Sequence, residues 1–384
     1  MDSTICEVDG YQKHGAALPR AGWKKPESER RLSDLVSVGL VTRVFPPEVV
    51  DEVVAESGRR EQRHRSLPAR VMAYFAVGMA LHSEGSYEDV LGLMTDGLAW
   101  ALPGGEWVKM PSKSAIFQAR SRLGAEPVKA LFGPVARPLA TADTPGAFLA
   151  GRRLVALDGT CVDVADTDAN DGFFGRPGVN KGERSAFPQA RLVGVAECGT
   201  NAIFDAVVGP YTTGENTLAR EVVSRLEPGM LALADRGFCG FPLWSLATET
   251  GADLLWRAST KMKPRHVQDL PDGSWLAEFR PSGNAGRKAA PLTIRVIDYE
   301  IDNGSGDPQG PYRLFTILLD PDEAPAADLA QAYAQRWEIE LAFDGLKTHQ
   351  RGTKSGAAVQ VPGPGAPGDL GRPVLPLRHP HPHV

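Results

Sequence analysis

The sequence predicts a mixed α/β domain carrying a β-rich insertion, preceded by a mainly helical domain. Three observations predict it. Residues 31–140 space their apolar side chains at helical period. From about residue 150 the pattern changes to short apolar or alternating runs divided by turn residues. Strand-like stretches then interrupt the polar, Gly/Pro/Lys/Arg-rich segment 261–310, ahead of a last long helix.

Residues 1–30 are polar and aperiodic and are expected to form a flexible arm. In the helical domain, 31–145, Pro47 opens a helix at a position where its missing N–H costs nothing, with Val49, Val50, Val53 and Val54 behind it. Leu67–Ser83 is apolar nearly all round and reads as a buried helix. Ser86 caps a helix to Trp100, and Ser112–Leu123 follows as a short one. In the α/β domain, 146–352, Arg153–Ala165 reads as a hairpin pair of strands with Asp158-Gly159 near its turn. A second pair over 191–208 turns near Gly199-Thr200-Asn201, and Thr217–Leu226 suits a helix. Met230–Ala234 is a strand ending at Asp235, Leu243–Thr250 a helix and Ala252–Ala258 a strand. The insertion contributes Trp275–Phe279 and Leu292–Tyr299; Tyr312–Leu319 is a strand and Ala326–Gln350 one long helix.

Composition narrows the classes. The chain has 384 residues, 42% apolar and 23% charged, ordinary for a globular protein with room for two or three domains. No apolar run reaches membrane-spanning length and no secretory leader is evident, so a cytoplasmic protein without membrane contact is expected. The four cysteines are far apart with no C-x-x-C spacing, which argues against a zinc site or a disulfide framework. A net charge of −5 is the wrong sign for a chain coated in nucleic-acid contacts. If DNA is the substrate, the basic residues must be clustered.

The chemistry-bearing residues are acidic. Asp158 follows the apolar run Leu154-Val155-Ala156-Leu157, and Asp235 follows Leu231-Ala232-Leu233-Ala234. A carboxylate at the end of a buried strand is costly unless it meets a cation. On the last helix, Tyr333, Arg336, Glu340 and Lys347 fall at about 0°, −60°, −20° and −40°, one narrow stripe. A phenol, a guanidinium, a carboxylate and an ammonium on one face suit a metal ligand flanked by groups that hold phosphate. Cutting a phosphodiester calls for two divalent ions roughly 3.5–4 Å apart, held by hard oxygen ligands. Taken singly, each element has a plainer account. Asp158-Gly159 fits a hairpin turn, Asp235 a turn or local ion pair, and the stripe a solvated face with Arg336 and Glu340 as an i,i+4 pair.

The run YAQRWEIELAFDGLK matches Y-x2-R-x3-E-x6-K and resembles the signature of a large family of bacterial insertion-sequence transposases of the DDE type. LVALDGT and ALADRGF resemble that family's first and second aspartate motifs, and RLSDLVSVGLVTRVFPPEVVDEVV followed by RSLPARVMAYFAVGMAL its helical N-terminal domain. The resemblance spans roughly residues 31–352 and implies an RNase H-like catalytic domain with a β insertion. It implies that Asp158, Asp235 and Glu340 are catalytic and hold two Mg²⁺, for which Mn²⁺ substitutes. Water would cut DNA at the element's end, and the freed 3′-hydroxyl would join it to a target. Tyr333, Arg336 and Lys347 would hold the transferred strand. The implied partners are inverted-repeat ends and target DNA, brought together by a homodimer in a synaptic complex, with the protein on the nucleoid when bound. Two alternatives stand beside this: a truncated remnant that binds DNA without cutting, and a metal-dependent nuclease of the same fold.

Further DNA contacts are sketched by charge. Lys113, Arg120 and Arg122 lie on Ser112–Leu123, which reads equally as a recognition helix behind a Pro103-Gly104-Gly105 turn or as an ordinary amphipathic helix. Arg59, Arg60, Arg63 and Arg65 form either a solvated linker or a phosphate-binding arm. Lys261, Lys263, Arg265 and Trp275 offer a grip for a strand end. The tail 353–384 is rich in Gly, Pro and His and has no period. Freely chosen back-translation lets its second frame encode a helical, amphipathic string, so a frameshift near 352–355 is an expectation that the gene's nucleotide sequence tests; a disordered extension is the alternative.

Overall fold

The computed structural model describes residues 39–349, apart from 64, 83–84, 98–109, 179–183, 282, 284–288 and 302–308. The expected arm 1–30, the turn at Pro103-Gly104-Gly105 and the tail 353–384 lie outside the described residues.

The N-terminal part is helical: α1 (Pro47–Glu56), α2 (Ala69–Leu81), α3 (Tyr87–Gly97), α4 (Lys113–Leu123) and α5 (Glu126–Val135). Helix α2 is apolar nearly all round because most of it is covered; Val71, Met72, Ala73, Tyr74, Phe75 and Val77 are all buried, and Arg70 meets Asp51 of α1. Val50, Val53 and Val54 of α1, Leu91 and Met94 of α3, and Ile116 and Leu123 of α4 complete this core. The Tyr74 hydroxyl donates to the Phe45 carbonyl at 2.5 Å, so the one polar atom of that ring is satisfied. Ser112 caps α4 by accepting from the Ala115 N–H, as its sequence position predicts.

The second part is a ten-stranded sheet. Its strands are β1 (Phe148–Leu149), β2 (Arg152–Asp163), β3 (Gln189–Glu197), β4 (Ala202–Pro210), β5 (Met230–Ala234), β6 (Asp253–Ala258), β7 (Arg265–Asp269), β8 (Trp275–Phe279), β9 (Leu292–Ile301) and β10 (Gln309–Thr316). They run in the order β4-β3-β2-β5-β6-β10-β9-β8-β7, with β1 on β2. The β2–β5 and β5–β6 pairs are parallel and the rest antiparallel. Helices α6 (Asp168–Phe174), α7 (Glu215–Val223) and α8 (Phe241–Thr248) lie between strands in sequence, and α9 (Ala326–Tyr333) and α10 (Trp337–Asp344) end the described chain. This is the mixed α/β fold the sequence predicts.

The sheet is covered on both faces, which is why its central strands are continuously apolar rather than alternating. Val155, Leu157, Ala232, Ala234, Leu254 and Trp256 share a core with Leu218 and Val222 of α7 and Trp244 of α8. Leu154, Ala156, Leu231, Leu233 and Leu255 share the other with Leu329 and Tyr333 of α9 and Ile339 and Phe343 of α10. Strand side chains alternate faces. Continuing the alternation, Asp158 and Asp235 fall on the α9–α10 face.

Two expectations are corrected. Residues 152–163 are one strand, not a hairpin; Asp158-Gly159 lies inside it, and β3 pairs with it across both residues. The Asp-Gly turn signal loses to nine consecutive cross-strand pairs. The last helix is not continuous: a 3₁₀ turn at Ala334–Arg336 separates α9 from α10, and a π turn follows at Gly345–His349. The uniform 100° stripe therefore does not hold; in a 3₁₀ turn residues i and i+3 eclipse, which sets Arg336 over Tyr333. The expected β insertion is present and joins the main sheet. Strands β9, β8 and β7 extend it from β10, and β7, exposed at every residue, carries no apolar pattern that reveals it in the sequence.

Candidate active site

The parallel β2–β5 ladder ends at the Leu157–Ala234 pair. Asp158 and Asp235 are each the next residue, so two acids stand side by side where the strands leave the buried core. Helix α10 crosses this edge. It is held there by Phe343, which packs over Gly194, the residue paired with Asp158; a Cβ on Gly194 would lie 3.4 Å from the Phe343 ring. The Tyr333 hydroxyl donates to the Ala234 carbonyl at 3.3 Å, tying α9 to the last residue before Asp235.

Arg336 is the hub. Its Nη1 donates to Asp158 Oδ2 at 3.0 Å and its Nη2 pairs with Glu340 Oε1 at 2.9 Å. The guanidinium is 5% exposed and its Nε has no hydrogen-bond partner. The other oxygen of Asp158 accepts the Gly159 N–H at 2.7 Å. Asp235 Oδ1 is buried and accepts no hydrogen bond; its nearest cation is Arg257 Nη1 at 3.9 Å. Burial pushes the Asp158 carboxyl above its ordinary pKa, and Glu340 and Asp235 add to the rise, against the Gly159 N–H and Arg336. Burial likewise pushes the Tyr333 phenol upward, so it remains a donor.

The residues fit a divalent cation. The donors are hard carboxylate oxygens, one buried Asp235 oxygen accepts no hydrogen bond, and among the described residues the three acids are met by Arg336 and, at 3.9 Å from Asp235, by Arg257. Among the described residues no three acidic, His or Cys side chains already close into a metal cage. Arg336 lies between Asp158 and Glu340 and bonds to both.

The other expected contacts are placed as follows. Of the three residues expected to hold the strand, Tyr333 and Arg336 are buried beside the carboxylates and Lys347 is exposed on the π turn. Lys113 lies 3.8 Å from Glu88, and Arg120 donates to the Tyr87 hydroxyl at 2.8 Å and lies over its ring; both engage α3. Arg122 is exposed and points elsewhere on the domain. Lys261, Lys263 and Arg265 are exposed on the insertion, but Trp275 is occupied, stacked on His266 and contacted by Arg313. Sequence reasoning missed Arg257 beside Asp235; its signal was a lone cation in the apolar strand Asp253–Ala258.

Residues 35–133 match the family described as "Insertion element 4 transposase N-terminal", and residues 149–357 match "Transposase DDE domain". The chain is 30% identical over 315 residues to the transposase InsG for insertion sequence element IS4 of Escherichia coli (strain K12), covering 79% of this chain and 67% of that one. It is 25% identical over 231 residues to the putative transposase InsZ of the same organism, covering 60% of this chain and 74% of that one.

Proposed function

Because the chain belongs to the IS4-type DDE transposases, enzymes of DNA transposition that act with divalent metal, we propose that its catalytic centre is Asp158, Asp235 and Glu340 and that these residues hold two Mg²⁺, with Mn²⁺ able to substitute. When bound, the two ions lower the cost of generating the attacking oxygen and of releasing the leaving oxygen.

The observation that carries the reading is that Arg336 bridges Asp158 of β2 to Glu340 of α10, while Asp235, the residue after the Leu157–Ala234 pair, lies beside Asp158. Each side chain has a separate task. Asp158 and Asp235 stand on adjacent rigid strands, so their separation is set by the sheet ladder rather than by loops. Glu340, the most exposed of the three at 41%, has room to swing. Arg336 neutralises Asp158 and Glu340 while no cation is bound and keeps both carboxylates aimed inward. Tyr333 fixes the start of the 3₁₀ turn against β5. Lys347, on the exposed π turn, holds a phosphate of the transferred strand. Residues 31–145 form the DNA-binding unit and 146–352 the catalytic unit. The substrates are inverted-repeat ends and target DNA, paired in a homodimeric synaptic complex.

The test uses the full chain and linear duplex carrying the DNA that flanks its own gene. With Mg²⁺ or Mn²⁺, the expected products are nicks bearing a 3′-hydroxyl, followed by strands joined to a second duplex. Asp235→Asn should bind the duplex and form neither product. Cutting that never leads to joining favours a nuclease of this fold. Binding with no cutting at all rejects the catalytic assignment.

A further inference from the structure

A cleft in the helical N-terminal part carries an unusual concentration of uncompensated positive charge. It has a volume of about 490 Å³ and lies between the α1–α2 connection and the C-terminal end of α4. Arg59, Arg60, Arg63, Arg65 and Arg122 line it, over an apolar floor that includes Leu67 and Leu123. Arg59 is anchored. Its Nη1 donates to the Arg122 carbonyl at 3.4 Å, and it lies across Gly124, whose φ of +73° ends the helix. Arg60, Arg63, Arg65 and Arg122 are exposed and make no ion pair among the described residues. The one acid in the lining, Glu61, accepts the Ala69 N–H at the start of α2 and is thereby committed to the fold.

This is costly in isolation. The chain carries more acids than bases, and its other arginines often find carboxylates: Arg70 meets Asp51, Arg152 meets Asp253, Arg313 meets Asp298. Four unpaired guanidiniums facing one cavity repel one another until an anion enters. Guanidinium forks suit phosphate oxygens, and several in a row suit successive phosphates rather than a single small anion. Among the described residues that line it, the cleft presents no aromatic face on which to stack a base and no Asn, only Gln62, to read one.

We propose that this cleft is a sequence-independent clamp for the phosphodiester backbone of duplex DNA, and that the helical part grips DNA here rather than through the outward face of α4. Lys113 and Arg120 of α4 are directed to α3, whereas Arg122 opens onto the cleft. The clamp rests on the DNA-acting reading above but on different residues.

Binding of the full chain to a labelled 30-base-pair duplex (size chosen as roughly three helical turns), in EDTA and across a salt series, tests it. The paired variant Arg63→Gln/Arg65→Gln should weaken binding roughly tenfold, equally for unrelated sequences, and flatten the log-affinity against log-salt slope by about 2. Arg184→Gln/Arg220→Gln, exposed elsewhere, controls for net charge and should leave that slope unchanged. Should the first pair fail to fold, Arg60→Gln/Arg122→Gln makes the same prediction. An unchanged slope in the cleft variants overturns the clamp and leaves the catalytic reading intact. A wild-type chain that keeps the arginine-dependent slope but cuts no DNA leaves the clamp standing and overturns the catalytic reading. A duplex RNA of equal length that outcompetes DNA more than about tenfold through the same arginines overturns the choice of DNA.

Discussion

Two buried arginines, one in the insertion and one beneath the candidate active site, solve the same electrostatic problem in opposite ways. Arg295 on β9 is fully buried. Its Nε donates to the Ser274 hydroxyl at 2.7 Å, its Nη1 to the Ala324 carbonyl at 2.7 Å and the Leu318 carbonyl at 3.3 Å, and its Nη2 to Asp272. Asp272 also accepts the Ala326 N–H at 2.9 Å, the first residue of α9. Arg336 is equally enclosed, yet one of its nitrogens is unbonded and the other two hold carboxylates that belong to different elements. A saturated guanidinium between carbonyls is a rivet. An unsaturated one between two acids, beside a third acid with an empty oxygen, is a place holder. The difference separates structure from chemistry more sharply than burial does.

The comparison breaks most readily at the rivet. Arg295→Met should cost about 3–5 kcal/mol, because it strands Asp272 and the carbonyls of the loop leading into α9. Chemical denaturation reads this directly; a loss under about 1 kcal/mol would mean that Arg295 is no more structural than a surface cation. Arg336→Met should behave the other way. It removes a cation that competes for Asp158 Oδ2 and Glu340 Oε1, so the Mg²⁺ concentration giving half-maximal cleavage should fall. Turnover should drop about 10²-fold, the scale of losing one preorganised contact, with a smaller loss of stability than Arg295→Met shows, because fewer of the Arg336 nitrogens are bonded. A variant that simply unfolds would erase the distinction drawn here.

The pH dependence of the rivet sharpens it further. Burial works against the charge of Asp272, but the bonds from Ser274, Ala326 and Arg295 outweigh it and lower its pKa below the ordinary carboxylate value. A lowered carboxyl contributes stability that is present above its unfolded pKa of about 3.9 and is lost as pH falls through the folded value. Asp272→Asn should therefore be destabilised by about 1–3 kcal/mol at pH 7, and the gap to the parent should narrow below about pH 4. A gap that stays constant with pH would show the carboxylate charge to be irrelevant.

What the sequence disclosed follows the strength of local signals. Continuous apolar runs ending in Asp158 and Asp235 were legible because both sheet faces are covered, and the helix carrying Arg336 and Glu340 was legible from its residue types. The unbroken β2 was not, since Asp158-Gly159 looks like a turn until β3 lies beside it. Strand β7 was not, because a solvated edge strand has no periodicity to read. Nor was the 3₁₀ turn at Ala334–Arg336, whose residues are ordinary helix formers. Arg295 and Arg257 escaped because their partners lie far along the chain.

The mildest test concerns how the place holder is positioned. Gly194 pairs with Asp158 and has no side chain where Phe343 of α10 rests; an added Cβ would also lie 3.2 Å from the Asp205 carbonyl. Gly194→Ala should push the ring outward by a few tenths of an ångström and carry α10, with Glu340, along with it. Overpacking of this kind costs about 1–3 kcal/mol, and small displacements of reacting groups are felt in rate. We expect a several-fold loss of cleavage, with part of it returned in the double variant Gly194→Ala/Phe343→Leu, which shortens the side chain over the new methyl. If the single variant cuts DNA at the parent rate, Glu340 is not placed by the seating of Phe343, and its geometry must be set by Arg336 alone.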